Sequence, residues 1–589
     1  MKDFFKYVLA TIVGLILTSV IMTVICIVSM AGMMASEGMS QPVQENSILR
    51  IKLQGTVTEK GGEDNPLSFL TDGEMQNIAL DEALDGLKKA AKNKKVKGIY
   101  LEGGILSATP AELQELRQAL VEFKKSGKWI VSYADQYSKG CYYICSVADK
   151  VYLNPIGMLD WSGFSSEPIF YKGLLEKVGV KMQVFKVGTY KSAVEPFICD
   201  KMSDANREQV TSFLGSIWGN MLKDVAKSRK MDVEALNSLA DSLILISDPE
   251  SYLKAGMVDK LCYKSEVKKN LKKRLDLEDD DKLTFTTLGD VAKAEDLNEK
   301  VDDEIAIYYA YGEIVDERAK GFSQEHNITA KDMTMDLQKL AEDKDVKAVV
   351  IRVNSPGGSA YASEQIWHEI EMLKAKKPVV VSMGGMAASG GYYISCGANK
   401  IFAEPTTLTG SIGIFGMFPD ASELLTKKLG LTFDVVKTNA LSDFGSTGRP
   451  FNETESRLMQ AYINKGYELF TGRVAKGRGM AQDSVKAIAE GRVWTGEQAL
   501  KIGLVDKMGN LDDAVKAAAK LAKVEKYTTG QYPDAKPWYM GLMDKNSSDY
   551  MDSQMRALLG EYYSAFSLIR NLKNQNPIQA RIPFDPNIK

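Results

Sequence analysis

Residues 382–395 read SMGGMAASGGYYIS, which sets Ser389 among alanines and glycines. Small neighbours let a substrate backbone approach the hydroxyl, so Ser389 is the candidate nucleophile. A serine alcohol needs a base, and the chain holds only two histidines. His368 lies two residues from both Ile366 and Ile370, so on a helix it points away from the core positions they mark. His326 sits in the polar stretch FSQEHNIT, which reads as a loop, and neither histidine is placed for a Ser-His-Asp arrangement.

A lysine serves as the base if it is neutral, which requires its pKa to fall from about 10.4 toward about 7 or 8 through desolvation and hydrogen bonding. Lys191 occurs in VGTYKSAVEPF (187–197), where the hydroxyls of Thr189, Tyr190 and Ser192 are available to orient an amine and Ala193 and Val194 to exclude water. A third feature is NSPGGS (354–359), whose glycines follow a strand-like run. Gly358 is the candidate there for aiming a backbone N–H at a tetrahedral oxyanion, with the amide of Ser389 or Gly390 as second donor. Each such donor is worth roughly 10² to 10³ in rate.

These residues are distributed over an internal repeat. KVKGIYLEGG from Lys95 answers to DVKAVVIRVN from Asp345, an offset of 250 (345 − 95), and the same offset carries KGCYYICSVADKVYLNP onto SGGYYISCGANKIFAEP. The losses are complementary. Ser389 falls on Lys139 and NSPGGS on GILSAT, so the first copy lacks the nucleophile and its glycines. Opposite Lys191 the second copy offers Ser442 or Asp443, so it lacks the lysine. One site assembled between the copies is the expectation.

Each copy alternates β-branched runs with amphipathic stretches, the pattern of strands and crossover helices, and the fold class is therefore α/β. Thr109 before Pro110, and Ser359 at the equivalent place, read as helix N-caps. The strand KPVVVS should end shortly before Ser389, and a helix GYYISCG should follow, exposing the hydroxyl at a helix N-terminus. The boundaries follow as residues 1–45 (stub, apolar segment, short linker), 46–275 (first repeat), 276–302 (acidic linker), 303–533 (second repeat) and 534–589 (polar tail). The tail reads as an assembly arm or a disordered segment.

At 589 residues and a formal net charge of −3, the chain has no basic excess with which to grip nucleic acid. Six cysteines lie without C-x-x-C spacing, and Cys141 and Cys145, one helical turn apart, have no histidine near them. They read as small buried hydrophobes, and no metal or cofactor is called for. No charge occurs from Tyr7 to Ser36, a run longer than the roughly 20 apolar residues that span a bilayer. Lys2 and Lys6 precede it and Glu37 follows, which predicts an uncleaved single-pass anchor with its N-terminus in the cytoplasm. A long signal cleaved near MMAS is the competing reading.

The anchor, the tandem duplication, YKSAVEPF in the first half, and NSPGG with ASGGYY in the second together resemble the long, duplicated form of the signal peptide peptidase A family. These are bacterial membrane-bound serine proteases, and the resemblance spans essentially the whole chain. It implies a tandem crotonase or Clp-protease-like fold at the inner membrane with extracytoplasmic catalytic domains. It also implies a Ser/Lys dyad of Ser389 and Lys191, cleaved signal peptides as substrates, and a homotetramer. A crotonase-like acyl-thioester enzyme, or a non-catalytic membrane scaffold, would share parts of this pattern without using either dyad residue.

Overall fold

A computed structural model of the chain describes residues 42–61, 77–292, 301–317, 326–533 and 577–582, with isolated helical positions between 6 and 22. The charge-free stretch 7–36 falls mainly outside the described residues. No helix among the described residues is long and apolar enough to cross a membrane.

Each repeat folds its β-branched runs into a mostly parallel sheet buried on both faces by helices, as continuous apolar strands require. The first sheet runs in the order Ile78–Ala79, Ser47–Thr58, Val96–Ser107, Trp129–Tyr137, Lys150–Leu159 and Lys260–Leu261. The second places Thr528–Tyr532, Glu304–Tyr311, Val346–Ser355, Val379–Ala388, Leu408–Gly410 and Val493–Thr495 side by side, with Lys400–Ala403 also on Val379–Ala388. The sequence offset survives in space: Trp129 and Val379 both open the strand that leads to the site position, and Lys150 and Lys400 both open the next.

Thr109 and Ser359 cap their helices as expected. Thr109 accepts from the Glu112 N–H in a full capping box, with Pro110 in the first turn, and Ser359 accepts from the Ala362 N–H at 3.2 Å. The strand before Ser389 is longer than KPVVVS suggests, running from Val379 to Ala388. Its glycines are there for close approach. A Cβ on Gly384 would lie 2.4 Å from Glu59 Oε1, and one on Gly385 would lie 2.4 Å from Thr109 Oγ1.

Part of the stretch 276–302 belongs to the first repeat. Phe285–Thr286 pairs with Ile48 and Leu49, just as Thr528–Tyr532 pairs with Glu304–Tyr311 in the second repeat, because the apolar LTFTTL follows the acidic run. Of the tail, Ile578–Arg581 is a strand of the fold, whereas 534–576 and 583–589 lie outside the described residues.

A third sheet joins the repeats, in the order Asn327–Thr329, Glu313–Val315, Gly357–Ser359, Ile578–Arg581, Phe415–Asp420 and Lys181–Lys186. Its last pair is antiparallel and crosses from one repeat to the other, with Lys186 opposite Phe415 and Lys181 opposite Asp420. Lys191 comes five residues after Lys186, so this ladder sets where the lysine arrives.

The second tie is a buried charge cluster. Arg352 of the second repeat makes paired hydrogen bonds to Glu59 and Glu115 of the first, at 2.6 to 3.2 Å, and all three are buried. Asn354 donates to Glu59 at 2.8 Å and Glu112 at 3.0 Å, and Gln118 donates to Glu404 at 2.8 Å. Burial and then the nearby Glu59 push the Glu112 carboxyl up to about 7; burial and then Glu115 push Glu404 up to about 8. An apolar patch completes the interface, where Phe213 and Ile217 meet Met386, Leu408 and Val493.

Candidate active site

Ser389 follows the strand Val379–Ala388 and precedes the helix Gly390–Ser395. Its backbone is at φ +55° and ψ −111°, a conformation that a serine occupies only when its surroundings enforce it. Two bonds do so: the Ser389 N–H donates to Gly410 O at 2.8 Å, and Ser389 O accepts from the Tyr393 N–H at 2.8 Å. The turn presents the hydroxyl toward the first repeat.

Lys191 meets it there. Nζ lies 2.7 Å from Ser389 Oγ, 3.0 Å from Ser411 Oγ and 3.0 Å from Ser411 O. Lys191 is fully buried, and burial alone pushes its amine well below the ordinary lysine range. A neutral amine has two N–H groups and one lone pair. The two oxygens of Ser411 match the first, and the Ser389 hydroxyl matches the second.

The hydroxyls expected to orient the amine bond elsewhere, Ser192 Oγ to Asn206 Oδ1 at 2.9 Å and Tyr190 Oη to Glu208 at 3.1 Å, and neighbouring residues hold the segment around the amine. Gln209 Nε2 donates to Tyr190 O at 3.0 Å and to Ser192 Oγ at 2.9 Å, and the Tyr190 N–H donates to Glu490 O at 2.9 Å. Gly491 then passes so close that a Cβ would lie 2.6 Å from Lys191 Cβ, and its φ is +80°. The segment 188–191 is thus gripped by residues 490–491 of the second repeat.

Beside the dyad, Gly357 and Gly390 are in contact: a Cβ on Gly357 would lie 2.7 Å from Gly390 N. Gly358 is the next residue, in register with Ile314 on one side and Ala580 on the other. The Ser389 N–H is engaged by Gly410, which leaves Gly390 of the two amides considered as second donor. The strand Ile578–Arg581 crosses this place antiparallel to Gly357–Ser359, and Ala580 O lies 3.2 Å from where a Gly390 Cβ would be. A backbone carbonyl of an extended chain is therefore accommodated beside these glycines.

Neither histidine is near. His368 is exposed on its helix, and His326 stacks on Tyr311 at 3.7 Å. In the first repeat the matching place is filled: Lys139 lies 4.7 Å from the Phe164 ring, and Trp161, the counterpart of Ser411, is fully buried. Ser442 is exposed on the surface. Ser411 and the strand at 578–581 were not legible in advance; the only local sign of Ser411 is its place among small residues in LTGSIG.

The duplication recurs in the comparison with known proteins. The profile described as peptidase family S49 matches residues 122–278 and 371–525, once in each repeat, and that of Clp protease matches 302–408. Protease 4 of Salmonella typhi is 35% identical over 548 residues, covering 90% of this chain and 87% of that one. Protease 4 of Haemophilus influenzae is 36% identical over 496 residues, covering 82% and 78%. The chloroplastic serine protease SPPA of Arabidopsis thaliana is 31% identical over 493 residues, covering 82% and 70%. The chain belongs to peptidase family S49, in the tandem-duplicated signal peptide peptidase A type that its motifs resemble.

Proposed function

We propose that this protein is a serine endopeptidase in which Lys191 is the general base and Ser389 the nucleophile. The observation that carries the reading is the 2.7 Å approach of a fully buried lysine amine to the hydroxyl of a conformationally constrained serine. Neutral Lys191 takes the Ser389 proton as Oγ attacks the scissile carbonyl carbon. The oxyanion forms against the backbone N–H groups of Gly358 and Gly390. The ammonium returns its proton to the leaving amine, and the C–N bond breaks to give an acyl-enzyme. Water then gives a proton to the same amine and attacks the ester, and Ser389 is regenerated. Ser411 accepts from the amine in both protonation states, which holds it in line throughout. No cofactor takes part.

The substrate enters as an extended strand along Gly357–Ser359, the path taken here by Ile578–Arg581. Apolar peptides, remnants of cleaved signal peptides among them, are the proposed substrates. The charge-free segment 7–36 anchors the chain in the bacterial inner membrane, with the catalytic repeats on the extracytoplasmic side and the active form a homotetramer. Cleavage of a quenched apolar peptide by the wild type, with none by Ser389→Ala, is the expected result; equal cleavage by both would remove the proposal.

A further inference from the structure

Lys191 sits on a loop. The strand Lys181–Lys186 ends before it and the short helix Glu195–Ile198 begins after it, so no regular element holds the base to the precision that proton transfer needs. The helix that follows, Asp204–Arg229, brings Gln209 to this loop, and Gln209 is fully buried. Its Nε2 donates to Tyr190 O at 3.0 Å and to Ser192 Oγ at 2.9 Å, on the two sides of Lys191, and also meets Asn206 Oδ1 at 3.1 Å. Its Oε1 accepts from the Val493 N–H of the second repeat at 3.1 Å. Tyr190 O can only accept and the Val493 N–H can only donate, so the carboxamide has one orientation. Glu195 enforces it from behind. This buried carboxylate accepts from Asn206 Nδ2 at 3.0 Å, which turns Asn206 Oδ1 toward Ser192 and Gln209.

Val493 belongs to the end strand of the second sheet, in register with Gly410. That ladder carries the rest of the site. Gly410 O accepts from the Ser389 N–H at 2.8 Å, and Arg492 O accepts from the Ser411 N–H at 2.7 Å. One side chain therefore grips the loop of the base with one end and the ladder that holds the nucleophile and Ser411 with the other. The duplication marks the residue as well. The matching helix of the second repeat, Glu453–Arg478, has the same 26 residues, 249 positions on (453 − 204), and sets Leu458, 50% exposed, where the first has Gln209. The copy that keeps the lysine is the copy that has the carboxamide.

We propose that Gln209 is the positioning residue of the general base: its carboxamide fixes Lys191 Nζ against Ser389 and Ser411 by joining the loop 189–192 to the ladder of Gly410 and Val493. The proposal rests on the protease reading of Ser389 and Lys191. Gln209 is enclosed and touches no substrate, so it acts only through the lysine. The charged groups that touch the loop are engaged with other partners. Glu490 accepts from the Thr189 N–H, Glu208 pairs with Arg492, Arg492 donates to Tyr190 Oη, and Glu195 accepts from Asn206 and Ser203. Loosening the loop admits water to the amine and weakens the burial that holds its pKa down. The base then titrates higher as well as standing out of line with Ser389.

The test uses the full chain and two substitutions close to glutamine in size. Gln209→Met removes the donors and the acceptor; Gln209→Glu keeps the acceptor for Val493 and loses the donors to Tyr190 and Ser192. Each should lower kcat for a quenched apolar peptide by about 10²-fold, the scale of a catalytic group misplaced by about 1 Å, with KM unchanged. The midpoint of the pH–rate profile should move up toward 10.5 in both, and further in Gln209→Glu, whose carboxylate favours the ammonium. Ser216→Ala is the control. It removes a 2.9 Å hydrogen bond from the same helix to Thr495 of the same strand and should leave kcat and the midpoint at their wild-type values. Melting temperatures show which variants are folded, and where Gln209→Met is not, Gln209→Glu carries the test. A folded Gln209 variant with the wild-type kcat and midpoint would overturn the proposal, as would a Ser216→Ala protein that loses as much. A wild type in which a fluorophosphonate leaves Ser389 unmodified would count against the protease reading itself, whereas a labelled wild type beside unaffected variants would count against the positioning role alone.

Discussion

Lys191 Nζ and Ser389 Oγ are separated by 198 positions in the chain and 2.7 Å in space. The distance is set by the interface between repeats: by the ladder from Lys181 to Lys186 on one side and by Ser411 and Gly491 on the other. Among the described residues no carboxylate pairs with this lysine, and its depressed pKa has burial as its cause. Activity and stability then both rise with pH because of the same residue, activity below its depressed pKa and stability above it.

For activity, the base works only when neutral. The kcat/KM for peptide cleavage should therefore rise tenfold per pH unit below the pKa of Lys191 and level off above it, with the midpoint below the ordinary 10.5. A pH–rate profile checks this, and Lys191→Ala should lower the plateau by at least about 10³-fold.

For stability, the unfolded chain binds a proton at Lys191 that the folded chain does not, between the depressed pKa and 10.5. Wild-type stability gains with rising pH across that window. Lys191→Met, which removes the charge and keeps the bulk, should stabilise the protein by a few kcal/mol at neutral pH, an order-of-magnitude figure. That advantage should shrink as the pH approaches 10.5, as read from denaturant midpoints at several pH values.

Gly491→Ala should displace Lys191, since the new methyl group would lie 2.6 Å from its Cβ. A loss of about 10² in kcat with a folded protein is expected, on the scale of a misplaced catalytic group. Gly479→Ala is the control: its φ of +65° imposes similar backbone strain, but nothing lies within 4 Å of the added atom. It should cost about 1 kcal/mol of stability and leave kcat alone.

Arg352→Met should cost about 3–5 kcal/mol, because Glu59 and Glu115 would stay buried without a counter-ion. Glu404 behaves differently. The folded chain keeps a proton there from 4.5 up to about 8, and the unfolded chain releases it, so wild-type stability falls as pH rises through that window. Glu404→Gln removes the dependence, and its denaturant midpoint should exceed that of the wild type by more at pH 9 than at pH 6.

The duplication, the helix caps at Thr109 and Ser359, and the pairing of Lys191 with Ser389 were legible because each is a local pattern or a difference between two aligned copies. Ser411 was not, because one serine among small residues carries no mark of what will approach it. Arg352 and its carboxylates were hidden for a related reason: a charged residue within VVIRVN reads as a solvent-facing strand position until the first repeat covers it. The strand at 578–581 lies far along the chain from the glycines it pairs with, beyond any periodicity in the sequence. The full length of Val379–Ala388 was obscured by glycines whose role is to admit Glu59 and Thr109.

The proton transfer from Ser389 to Lys191 is tested most directly by acylation of the serine itself. Wild type, Lys191→Ala and Ser389→Ala proteins would be treated with a fluorophosphonate across pH 6–10, and the modified residue located by peptide mass spectrometry. Modification at Ser389, with a rate that climbs with pH in the wild type and is lost in Lys191→Ala, is the predicted result. Modification of Ser389 at an unchanged rate without the lysine would contradict the account.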